Sequence, residues 1–192
     1  FGSLWVSIIF LEGLSFMSSQ QQSEKTAEEH FKDGLAFSKL GDDRRTFESY
    51  QKAIDLDPDH FLAHFNLGIR YGKLRMNLEA SKSFREALRL KPEAPMVHYS
   101  LAVVSNFIGE MDEAFKHYQE AIRINPDFGR AHSNLAMLHY ALKRGKETIH
   151  HLVKAADLFK QTGDEFMEKN ARDLIQECGR EFDLTPDDCQ TL

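Results

Sequence analysis

The sequence predicts an all-α fold, a solenoid of four helical hairpins ended by a capping helix, and three observations predict it. The hexapeptides AHFNLG, VHYSLA and AHSNLA begin at Ala63, Val97 and Ala131, so His64, His98 and His132 are evenly spaced, and one further step of the same length back reaches His30. Pro58, Pro92 and Pro126 keep the same interval. A proline disfavours helix at the residue before it and has no N–H to donate, so the three mark helix ends at a fixed spacing. Within one interval the apolar residues recur twice at helical spacing, as Leu67, Tyr71 and Leu74 and then Ala80, Phe84, Ala87 and Leu88, with a break near residue 75.

In chain order, residues 1–17 form an apolar segment with a single charge, Glu12. It is shorter than the roughly 20 apolar residues that span a bilayer and has no basic stretch before it, so it reads as an anchor, a ligand for the chain's own groove, or sequence upstream of a start at Met17. Residues 18–26 read as a polar linker. Four 34-residue units follow, 27–60, 61–94, 95–128 and 129–162. Thr26-x-x-Glu29 is a capping box that opens the first helix, and Thr162-x-x-Glu165 is expected to open the last. That last helix, within 163–180, carries Met167, Ala171, Leu174, Ile175 and Cys178 along one face and charges elsewhere, as a cap on a repeat array needs. The tail 181–192 holds four acids and no base, which leaves the rest of the chain at −2 of the net −6.

Aligned on this frame, position 8 is Gly34, Gly68, Ala102 and Ala136, position 27 is Ala53, Ala87, Ala121 and Ala155, and position 24 is Tyr50, Phe84, Tyr118 and Leu152. This pattern of small, aromatic, alanine and proline positions resembles the tetratricopeptide repeat, in four tandem copies over residues 27–162. The resemblance implies a right-handed α-solenoid of helix-turn-helix repeats whose concave surface holds a peptide or helix. It departs at the ends, with Asp33 and Thr46 in unit one, and Thr148, Leu152, Lys160 and no closing proline in unit four.

The resemblance further implies that the groove is lined by positions 2, 5, 6, 9, 12 and 13 of each first helix. The candidate peptide-binding residues are therefore Phe31 and Leu35 from unit one, and Leu62, Phe65, Asn66, Ile69 and Lys73 from unit two. Unit three adds Met96, Tyr99, Val103 and Phe107, and unit four adds Arg130, Asn134, Met137 and Tyr140. Family members that clamp the terminal carboxylate of a chaperone tail need Lys, Asn and Arg where Phe31, Leu35, Met96 and Ser100 stand here. Only Asn66 fits, so that adaptor role is not expected. Asn66 and Asn134 are candidates to hydrogen-bond a bound backbone.

Other chemistries find little support. A nearly neutral body argues against nucleic acid as partner. Cys178 and Cys189 are too few for a disulfide framework or zinc site, and CQTL lacks the aliphatic pair of a prenylation signal. There is no phosphate loop, H-E-x-x-H or G-x-S-x-G, so no enzyme activity, cofactor or metal is expected. The four ladder histidines are expected to pack between helices, because neighbouring helices lie about 8–10 Å apart, too far for successive rungs to share an ion. His117, His150 and His151 are expected to be exposed polar residues.

The expected function is a non-enzymatic scaffold that binds an amphipathic helix or extended peptide of another protein, or its own N-terminal segment in cis or in trans. The expected location is cytoplasmic. Two alternatives are an accessory subunit or assembly factor held at a membrane by residues 1–16, and the regulatory repeat domain of a larger enzyme such as a glycosyltransferase.

Overall fold

The computed structural model describes residues 25–189; the apolar segment 1–17, most of the linker and the last three residues lie outside that range. Among the described residues there are nine α-helices and no strand. They are α1 Ala27–Leu40, α2 Asp43–Leu56, α3 Phe61–Lys73, α4 Asn77–Leu90, α5 Pro95–Ile108, α6 Met111–Ile124, α7 Gly129–Ala141, α8 Gly145–Thr162 and α9 Glu165–Phe182, with a short 3-10 turn at Pro186–Cys189. Helices pair as α1–α2, α3–α4, α5–α6 and α7–α8, and α9 packs on α8. The chain is an α-solenoid of four hairpins with a capping helix. In units one to three, successive first helices touch (α1 with α3, α3 with α5) more closely than second helices do, which puts the first helices on the inner curve.

Local chemistry accounts for the boundaries. Helices α2, α4 and α6 stop immediately before the Asp57–Pro58, Lys91–Pro92 and Asn125–Pro126 pairs, whose first members are not helical, the conformation a following proline demands. The Thr26 box is formed: Thr26 Oγ1 accepts from the Glu29 amide at 3.3 Å and Glu29 accepts from the Thr26 amide at 2.8 Å. The expected box at Thr162 is not. Gly163, at φ 72°, ends α8 in the left-handed conformation, and Asp164 caps α9 by accepting from the Met167 amide at 3.1 Å. Thr162 closes α8 instead, donating to the Leu158 and Phe159 carbonyls.

The core is built from the aligned small and aromatic positions. Ala53, Ala87, Ala121 and Ala155 are fully buried, and Tyr50, Phe84 and Tyr118 lie at 1–2 % exposure beside them. Large side chains buried so fully contribute about 1.5–3 kcal/mol each, and the alanines let the helices approach. The glycines at position 8 are required by contact: a Cβ on Gly68 would sit 2.6 Å from the Phe84 ring, and one on Gly34 2.5 Å from Tyr50. At the far end, Phe182 lies where a Cβ on Gly145 would be, so the cap is seated on the start of α8. Beyond α9 the chain turns back, and Cys189 is buried with Ile149, Leu152 and Cys178. The segment read as an acidic tail thus supplies an apolar plug as well as charge.

Candidate functional site

The inner helices expose a run of apolar side chains: Leu62 at 45 %, Met96 at 50 %, Phe107 at 59 % and Met137 at 39 %. Three hollows connect much of this surface. The first, of about 140 Å³, lies between units one and two and is lined by Leu35, Lys39, Asn66, Ile69, Arg70 and Lys73. Ile69 is shared with the second, of about 220 Å³, whose other walls include Phe84, Tyr99, Val103 and Phe107. Tyr99 is shared with the third, of about 290 Å³, which Met96, Phe128, Arg130 and Phe159 help to line. The path crosses the inner face obliquely, from position 13 of the first helices of units one and two to position 2 of the first helices of units three and four.

Two of the expected groove residues belong elsewhere. Phe31 is 5 % exposed, held 4.9 Å from the His60 ring and 5.8 Å from Tyr50, so it is core. In units two and three position 5 is also a packing position: Phe65 meets Phe84 at 6.0 Å and lines none of the three hollows, and Tyr99 meets Phe128 at 4.9 Å while still lining two of them. Tyr140 packs edge-on against Phe182 and donates its hydroxyl to Glu181, which also pairs with Lys143, so Tyr140 joins unit four to the cap.

The two position-6 asparagines differ. Asn66 donates to the Leu62 carbonyl one turn back, at 2.8 Å. Asn134 donates to the hydroxyls of Tyr99 and Tyr118, at 3.3 and 3.2 Å, and so ties unit four to unit three. Burial pushes both tyrosines above the ordinary phenol range, so the hydroxyls stay protonated.

The histidine ladder is a lock between units. His64, His98 and His132 place Nε2 at 3.0, 2.8 and 2.9 Å from the carbonyls of Pro58, Pro92 and Pro126. A carbonyl only accepts, so Nε2 carries the proton and Nδ1 is left as an acceptor. In units three and four that acceptor faces a second imidazole: His98 Nδ1 lies 2.9 Å from His117 Nδ1, and His132 Nδ1 lies 3.0 Å from His151 Nδ1. His117 is buried, and His151 is stacked 5.4 Å from His139, so neither is the exposed polar residue the sequence suggests. Burial lowers the affinity of His117, His132 and His139 for a proton and pushes His151 down to about 3, where neighbouring imidazoles add to the effect. Among the described residues no group of three histidine, cysteine or carboxylate side chains is placed to hold a metal ion. No helix among them is long and apolar enough to cross a membrane.

Stacked hairpins with an open inner face define a helical-repeat protein. Two family models match, one described as a TPR repeat over residues 108–143 and one as a tetratricopeptide repeat over residues 34–60. Over these residues the chain carries tetratricopeptide repeats. Solved structures share its fold. A crystal structure of the MamA protein is 17 % identical with a TM-score of 0.66, covering 80 % of this chain and 90 % of its own. MamA from residue 41 onward, of Desulfovibrio magneticus RS-1, is 21 % identical with a TM-score of 0.67, covering 78 % and 85 %. The first TPR of Spaghetti (RPAP3), bound to an HSP90 peptide, is 20 % identical with a TM-score of 0.59, covering 62 % and 94 %. Among curated proteins none matches this sequence.

Proposed function

We propose that this chain is a non-catalytic scaffold that holds a segment of another protein along the inner face of its first helices. The observation that carries this is the connected path through the three hollows, floored by Ile69, Val103 and Tyr99 and edged by the exposed Phe107 and Met96. Exposed apolar surface of this extent on a repeat protein marks an interaction site. The Spaghetti TPR supports the reading, as a related hairpin array bound to a peptide. Here the floor is aliphatic and aromatic where a carboxylate clamp needs basic and amide groups, so the supported mode is an amphipathic helix or extended segment laid apolar side down.

The test is fluorescence anisotropy of a labelled amphipathic helix against the wild-type chain and Val103→Asp. A carboxylate at the half-buried position 103 would be desolvated by a bound apolar face, so binding should fall at least tenfold with the helical circular dichroism intact. Equal binding by both proteins would refute the groove. Residues 4–16 are one such apolar segment, joined to unit one through residues 18–26. Trp5, the only tryptophan, reports on that occupant: protection from iodide in a monomer supports it, and free quenching refutes it. The membrane-anchored reading draws on residues outside 25–189, and the enzyme-subunit reading draws on Asn66 and Asn134, whose side chains donate to the Leu62 carbonyl and to the Tyr99 and Tyr118 hydroxyls.

A further inference from the structure

Charge along the groove is not distributed as in the rest of the molecule. The chain as a whole is at −6, yet the inner face near the turns of units one and two presents Lys39, Lys73 and Arg75, whereas in the third hollow Arg130 stands with Asp127 and Asp164. Among the described residues none of these four has a carboxylate partner. The acids that open α2 are already committed, Asp42 to Arg45 and Asp43 to Arg70. Arg75 holds a left-handed backbone at φ 61°, and its guanidinium lies 5.1 Å over the ring of Phe107, at the edge of the most apolar hollow. An exposed aromatic ring, a lined pocket and three uncommitted cations therefore share one end of the path.

We propose that the segment held in this groove is an acidic amphipathic one: an apolar row that enters the hollow between Ile69, Val103 and Phe107, with carboxylates that meet Lys39, Lys73 and Arg75. This rests on the groove reading and adds the charge of the partner. Cations placed around a site of binding raise the encounter rate with an acidic partner and disfavour basic ones, and each pair at an exposed rim contributes modestly, so discrimination comes from several together. The pocket favours a protein segment over a polyanion, because a lipid surface or a nucleic acid phosphate has no side chain to place between Val103 and Phe107.

Three labelled probes test this on the full chain: a helix with leucines in an i, i+3, i+4, i+7 frame and glutamates elsewhere, the same frame with lysines, and the glutamate helix with its leucines changed to serine. The glutamate–leucine helix should bind about tenfold more tightly than the lysine–leucine helix at low salt, with the gap closing as salt rises. The double variant K39E/K73E, exposed at both positions, should keep its helical spectrum and lose that preference. Equal binding of the two leucine helices would overturn the charge assignment while leaving the groove in place. No binding of either at millimolar concentration would overturn the groove reading and this inference with it. Equal binding of the serine probe, or of phosphatidylserine vesicles, would show a polyanion site and overturn the assignment to a protein segment.

Discussion

Acid should loosen this solenoid at its fourth unit between about pH 7.5 and 5.0, and His151 sets the size of the effect. Its Nδ1 donates to His132 Nδ1 at 3.0 Å, and His132 is fixed as an acceptor there by its own bond to the Pro126 carbonyl. Protonating His132 at Nδ1 puts two N–H groups face to face, and protonating His151, at Nε2, places a buried positive charge beside His132, His139 and His150, with Lys154 and Arg144 adding positive charge and Glu147 and Asp127 partly offsetting it. The unfolded histidine titrates near 6.5, whereas folding pushes His151 down to about 3. Below pH 6.5 the unfolded chain thus binds the extra proton, and stability present at neutral pH is lost as pH falls toward the folded value. Integrating that linkage, His151 alone removes about 2 kcal/mol between pH 7.5 and 5.0. Carboxylates held low by hydrogen bonds, such as Glu29 and Glu181, lose their contribution only below their own range, so this window isolates imidazole. The assay is urea unfolding at the two pH values for wild type and His151→Asn, whose amide keeps a donor near the Nδ1 position. The wild type should lose about 2 kcal/mol more than the variant. Parallel losses would refute the buried neutral pair.

Other contacts make independent predictions. Gly68→Ala places a methyl 2.6 Å from the Phe84 ring, and despite a helix-propensity gain near 1 kcal/mol it should cost about 1–3 kcal/mol net in thermal unfolding, with Phe84→Leu added to the variant recovering part of the loss. Asp164→Ala should cost about 0.5–2 kcal/mol and Thr162→Ala less, because the cap of α9 is Asp164; the reverse order would restore the Thr162 box. Burial raises both thiols, so Cys178 and Cys189 should react with a disulfide reagent only after urea is added, and ready reaction of Cys189 in the native chain would mean that the turn 186–189 is not seated.

How far the sequence is legible depends on whether a contact repeats at the same offset in each unit. Position-27 alanines recur in every unit, and closing prolines and position-24 rings in units one to three, and from them the hairpins follow. The histidine pairs also carry a signal, since position 4 and position 23 are both histidine in units three and four, while position 23 is the buried Ser49 and Ser83 in units one and two. That offset runs across a hairpin, where helical periodicity within one element does not look. The resemblance assigns Phe31, at position 5, to the inner face, and only the fold shows that His60, at the end of the unit, folds over it. At Thr162, three residues in a row suit a helix boundary, and the left-handed Gly163 decides between Thr162 and Asp164. Tyr140 is claimed by Phe182, a partner on the capping helix that has no counterpart in the other units.

The central claim is that the inner face around Phe107 is where a partner lies, and one reporter tests it directly. In a Trp5→Phe background, Phe107→Trp places the only indole at the rim of the second hollow, and Gln119→Trp places it on the exposed side of α6. On titration with the glutamate–leucine helix, a saturable blue shift is predicted from the indole at 107 and none from the indole at 119. Binding that leaves the indole at 107 unshifted, or that shifts the one at 119 instead, would contradict it.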